Sequence, residues 1–217
     1  SVDVGTPFDY ASQSALYVPK NLGSPKSEGW ASGSITEIQQ LVMASNGRAL
    51  LLFTSTRQMR RAYENLKGLL PFTCMMQGER PHKQLAAEFM EDTHSVLFAT
   101  KSFFTGVDFQ GEACSLVCID KLPFPVPTEP VTQARCEAIK ARGGNDFADY
   151  TIPVMSLTLQ QGYGRLIRHR NDWGMVAILD SRLDTTGYGG TIKSTLPDGV
   201  RIGRIDEANE FFAQAVA

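Results

Sequence analysis

No CxxC pair occurs in this chain, although it carries four cysteines, Cys74, Cys114, Cys118 and Cys136. Its three histidines, His82, His94 and His169, do not stand at metal-ligand spacing from them. A zinc ribbon or a cysteine-held cluster within the chain is therefore not indicated, and the thiols read as reduced ones in a cytoplasmic protein. No apolar run approaches the ~20 residues that span a bilayer. The opening SVDVGTPFDY has neither a basic start nor an apolar signal core, which gives an untargeted chain with no membrane contact. Positive charge is not in excess: 21 Lys and Arg against 23 Asp and Glu leave a net charge of −2 and a pI near 5.9. Any contact with nucleic acid must then come from a local groove and not from a global basic field. Repeats and low-complexity segments are also lacking.

What is present is an alternation. The 217 residues, 42% hydrophobic, suffice for one substantial core, so residues 1–217 read as one domain. Almost wholly apolar runs recur at 14–19, 49–55, 72–76, 95–100, 115–120 and 175–180, which suits strands covered on both faces of a parallel sheet. Between them SITEIQQLVMASNG predicts a helix over 34–47, with Ser34 as its cap, Glu37 at capping-box spacing and Gly47 past its end. Segments 56–71 and 80–92 have similar helical punctuation, residues 121–130 with four prolines read as a loop, and IDEANEFFAQAVA reads as a closing amphipathic helix. The alternation predicts right-handed βαβ units. Ligands of such sheets gather at the carboxyl ends of the strands, here Thr54–Arg57, Thr100–Asp108, Asp120–Phe124 and Asp180–Arg182.

One short segment collects cations against the overall balance. QGYGRLIRHR places Arg165, Arg168, His169 and Arg170 within six positions. If a helix starting near Pro153 continues to 170, Gln161, Arg165 and Arg168 share one face. Gly162 and Gly164 would each weaken that helix by about 1 kcal/mol relative to alanine, so something nearby should need their missing side chains. A solvated basic helix end is the ordinary alternative; an amide and two arginines on one face better suit a docked polyanion. GVDFQGEA (106–113) has the frame of a phosphate-binding loop, but Glu112 and Ala113 occupy the places of the required Lys and Ser/Thr. DEAN (206–209) opens a helix with no strand before it and reads as an acidic first turn.

In family order, ALLLFTSTRQM (49–59), SFFTGVDFQGEACSLVCIDKLPFPVPTEP (102–130), QGYGRLIR (161–168) and NDWGMVAILDSRL (171–183) resemble motifs IV, V and VI of the second motor domain of superfamily 2 DNA helicases of the DinG/XPD type. GTPFDYASQ (5–13) and YGGTIKSTLP (188–197) resemble that domain's start and tail. The resemblance implies an α/β fold, a RecA-like three-layer domain with a mainly parallel sheet flanked by helices. It implies a fragment of a longer protein whose first motor domain, absent here, carries the Walker A lysine and the acidic box and binds most of ATP and Mg2+. An iron–sulfur cluster would belong to that parent and not to this chain. By the same resemblance Arg168 is the arginine finger, Arg165 stands beside it and Gln161 orients phosphate or water. Gly106 and Asp108 line the nucleotide cleft, while Thr54, Ser55, Lys101 and Ser102 touch the backbone of single-stranded DNA. The implied activity is ATP-dependent translocation on single-stranded DNA, 5′ to 3′, in DNA repair. The partners would be that DNA and the first RecA-like domain of the same polypeptide. The rival reading is a non-catalytic α/β module that binds nucleic acid or protein; a self-contained small-molecule enzyme lacks a nucleophile–base pair.

Overall fold

The computed structural model describes residues 9–100, 103, 114–167 and 172–215. All six apolar runs form strands: β1 (Ser14–Tyr17), β2 (Ala49–Phe53), β3 (Cys74–Met76), β4 (Val96–Thr100), β5 (Leu116–Ile119) and β6 (Gly174–Ile178). A seventh, β7 (Val200–Ile202), has no sequence signal, because it is three residues long with Val200 and Arg201 exposed. The sheet order is β3-β4-β2-β5-β6-β1-β7. Every pairing is parallel among the described residues, so the mainly parallel sheet expected from the sequence is parallel throughout.

The helices are α1 (Tyr10–Gln13), α2 (Trp30–Ala44), α3 (Thr56–Leu66), α4 (His82–Glu91), α5 (Pro130–Ala141), α6 (Ile152–Leu166), α7 (Arg182–Thr185), α8 (Gly187–Lys193) and α9 (Ile205–Ala215). A π-helical turn, Phe147–Thr151, leads into α6. Alternation along the strands sends Leu51, Phe98, Cys118 and Ala177 to a core shared with α2, α3 and α9. Leu50, Leu52, Val117, Ile119 and Ile178 face the opposite core, closed by α4, α6, α7 and α8. Two apolar layers around one sheet give the expected three-layer architecture.

Helix α3 ends at Leu66, short of the segment 56–71, and two further helix boundaries differ from the sequence reading. The first helix starts at Trp30, four residues before Ser34, after Gly29 at φ 79°. Ser34 is therefore buried inside α2, and Glu37 accepts a hydrogen bond from the Tyr17 hydroxyl instead of closing a capping box. The cause is tertiary: the Trp30 indole is 4% exposed and donates to the Leu179 carbonyl at 2.9 Å, which anchors an extra turn. Gly47 does end the segment, at φ 74°, where a Cβ would stand 2.1 Å from the His94 carbonyl oxygen. At the other end of the chain β7 does precede the DEAN segment, contrary to the sequence reading, while Glu207 accepts from the Gly203 and Arg204 amides at 3.0 and 3.1 Å, as an acidic first turn of α9 should.

The second difference concerns the arginine segment. Pro153 sits in the first turn of α6 as expected, but the helix ends at Leu166 and Ile167 is extended, at φ −125° and ψ 114°. Ile167 is 2% exposed, so burying its side chain outweighs continuing the helix. The helical face that would join Gln161 and Arg165 to Arg168 is thus interrupted before Arg168.

Candidate functional site

Polar groups concentrate where β2, β5 and β6, neighbours in the sheet, reach their carboxyl ends. Each strand stays apolar until the core ends, and the next residues must then satisfy backbone groups that the sheet has left unpaired. After β2, the turn Thr54–Arg57 is exposed and opens α3. The Ser55 hydroxyl caps that helix, accepting from the Gln58 amide at 3.3 Å. After β5, Asp120 is 2% exposed. Its carboxylate accepts from the Thr54 amide at 2.8 Å and from the Thr54 hydroxyl at 3.3 Å. Burial pushes the Asp120 carboxyl up to about 6, against the opposing pull of the Thr54 donors and of Lys121. The Lys121 ammonium lies 4.8 Å from the centre of the Trp30 ring.

After β6, Asp180 is fully buried and ties two loops together. It accepts from the Leu122 amide at 3.0 Å and from the Arg182 amide at 3.1 Å. The Arg182 guanidinium grips the same carboxylate with two bonds, of 2.9 and 2.6 Å. Held in this way, Arg182 lies 5.1 Å from the centre of the Phe124 ring, and its own pKa is raised by the Asp180 bond. Phe124 in turn meets Phe147 and Tyr188 at 6.2 and 6.1 Å. At β4, Thr100 gives its amide and its hydroxyl to the Gln77 side chain, at 2.7 and 3.0 Å.

Of the other candidate residues, Gln161 and the backbone of Arg165 are described, both on α6. Helix α6 runs antiparallel to the strands. A Cβ on Gly162 would lie 3.6 Å from Ile119, while Leu166 packs where β6 begins, against Gly174. Gln161, next to Gly162, is exposed, and the backbone of Arg165 lies near the amino edge of the sheet. Thr54 and Ser55 lie at the carboxyl edge, a strand length away, roughly 15 Å. The fold therefore brings Thr54 together with Asp120, with Ser55 capping the helix that follows, and it sets the backbone of Arg165 apart from them. The Arg165 side chain, and Arg168, Gly106, Asp108, Lys101 and Ser102 entirely, lie outside the described residues. No close neighbour among the described residues demands the glycines of α6: Gly162 leaves ordinary contact distance, and a Cβ on Gly164 would meet nothing within 4 Å.

The sequence marked Asp120 and Asp180 only as positions after strands, without roles. The signal was there, a carboxylate directly following an apolar run, but the partners come from residues 66 and 58 positions away. Phe147 and Tyr188 carried no signal at all, since a π-helical turn and a short glycine-rich helix lack periodicity.

Comparisons with known proteins agree on the chain's kinship. Over 197 residues the chain is 42% identical to the ATP-dependent helicase DinG of Mycobacterium tuberculosis, covering 90% of this chain and 30% of that protein. Over 208 residues it is 38% identical to the ATP-dependent DNA helicase YoaA of Escherichia coli, covering 96% and 33%. The chain thus spans about a third of the length of these relatives. Among solved structures, an XPD helicase superposes with a TM-score of 0.66 over 88% of this chain and 36% of that one, at 15% identity. The carboxyl-terminal domain of the DEAD-box protein Dbp5 superposes with a TM-score of 0.58 over 94% and 98%, at 14% identity, and at these identities the likeness shows the RecA-like fold alone. Residues 38–199, from α2 through α8 and including both edges described above, match the helicase C-terminal domain, and the chain belongs to that family.

Proposed function

We propose that this chain is the second motor domain of an ATP-dependent DNA helicase that translocates on single-stranded DNA. The observation that carries the reading is the family match, which runs unbroken through the turn after β2 and through α6. The names of the relatives, ATP-dependent helicases DinG and YoaA, supply the activity of the whole protein. ATP and Mg2+ would be held mainly by a first motor domain, because this sequence offers no Walker A lysine. What this chain contributes is charge and orientation. Arg168, with Arg165 beside it, neutralises the charge that develops on the transferring phosphoryl group, and Gln161, already exposed on α6, orients phosphate or water. Gly106 and Asp108 line the same cleft. Thr54 and Ser55, with Lys101 and Ser102, belong to the turns that meet the DNA backbone, a contact that carries no base information.

The test is Arg168→Ala in the full-length protein. ATP turnover should fall by two or more orders of magnitude with single-strand affinity almost unchanged, because a finger acts mainly in the transition state. Arg168→Lys should restore little, since a point charge lacks the planar fork. Loss of single-strand affinity with near-normal turnover at saturating DNA would reverse the assignment.

A further inference from the structure

We propose that Asp120 is a positioning residue, holding the exposed turn Thr54–Arg57 in the one orientation that can meet a phosphodiester backbone. The proposal rests on reading that turn as part of the DNA contact, and it adds a residue that no DNA would touch. Three observations lead to it. Asp120 is 2% exposed, so its side chain is sealed from solvent and from any docked strand. Each of its oxygens accepts from Thr54, at 2.8 Å from the amide and 3.3 Å from the hydroxyl. Thr54, Ser55, Thr56 and Arg57 are all exposed beside it.

The bonding also changes what each residue of the turn can do. With its amide and hydroxyl protons directed at Asp120, Thr54 presents only lone pairs outward, and these repel a phosphate oxygen. Its part in the contact is therefore indirect, as the anchor of the turn. The contact itself falls to the neighbours, chiefly to Arg57, whose exposed guanidinium suits phosphate. Lost positioning of this kind acts through the geometry of the whole turn and need not remove any charge.

Equilibrium binding of a fluorescent oligothymidylate to the chain, at two salt concentrations, tests this. Arg57→Ala marks direct contact and should weaken binding and flatten its salt dependence. Asp120→Ala should weaken binding about 3- to 10-fold, the effect of losing a hydrogen-bonded anchor, and should flatten the salt dependence in the same sense, though it removes a negative charge that would otherwise oppose DNA. Asp120→Asn should bind within about twofold of the parent, because its carbonyl oxygen still accepts from the Thr54 amide. A folded Asp120→Ala protein that binds as well as the parent, while Arg57→Ala does not, overturns the proposal and leaves the DNA reading standing. If Arg57→Ala is equally silent, it is the DNA reading of this turn that fails, and the proposal with it. Should Asp120→Ala not fold, amide exchange in the unaltered chain decides. The Thr54 amide is expected to be protected, and exchange at unprotected rates overturns the proposal.

Discussion

A carboxylate 2% exposed at the end of a buried strand is where single-residue chemistry is most visible in this domain. Asp120 keeps its proton to about pH 6 in the folded chain because burial disfavours the charge, whereas its ordinary value is 3.8. The sign of the linkage follows. Between those values the folded state binds more protons than the unfolded one, so Asp120 lowers stability as pH rises through that window. Its neutral form contributes stability that is complete below about pH 4 and lost by about pH 6, on the order of 2–3 kcal/mol. Glu207, held low chiefly by the Gly203 amide, slopes the opposite way. Denaturant unfolding of the parent chain and of Asp120→Asn from pH 4 to 7 separates the two. The difference between the curves should change across the Asp120 window and be flat above it, and a constant difference would contradict the assignment.

At the scale of elements, the strands were legible and the ends of helices were not. Six apolar runs became six strands, and all but β3, at the sheet's edge, are buried almost throughout, so composition largely reports burial. Helix ends depend on distant partners: the anchoring of Trp30 to Leu179 moved the start of α2, and the burial of Ile167 cut α6 short. The candidate site was legible as places along the chain, through the rule about carboxyl ends, but not as bonds, since Thr54 and Asp120 meet only across the sheet. The glycines of α6 remain informative here. Gly164 lies in a helical turn with open space where a Cβ would go, so Gly164→Ala should stabilise the chain by about 1 kcal/mol and raise its Tm by roughly 2–4 °C. If the same substitution lowers ATP turnover of the full-length protein, the glycine serves a ligand and not the fold. Unchanged or lower Tm would place a demand on Gly164 from within the fold.

For the whole molecule, strand order decides what is near what. The middle of the sheet, β4-β2-β5, is built from residues 49–119, but β1 at 14–17 lies between β6 and β7. This arrangement has a consequence in time. During synthesis β1 is made early, yet its partner Gly174 follows about 160 residues later, roughly ten to thirty seconds at ordinary elongation rates. Through that interval β1 is an apolar strand without a sheet, while β2, β3 and β4 already have one another. Pulse-labelled amide exchange during refolding should show β2 and β4 protected before β1, and simultaneous protection would argue for a single concerted step. The same delay makes the first residues of the domain its most exposed to chaperones and proteases, long before the segment that shelters them exists.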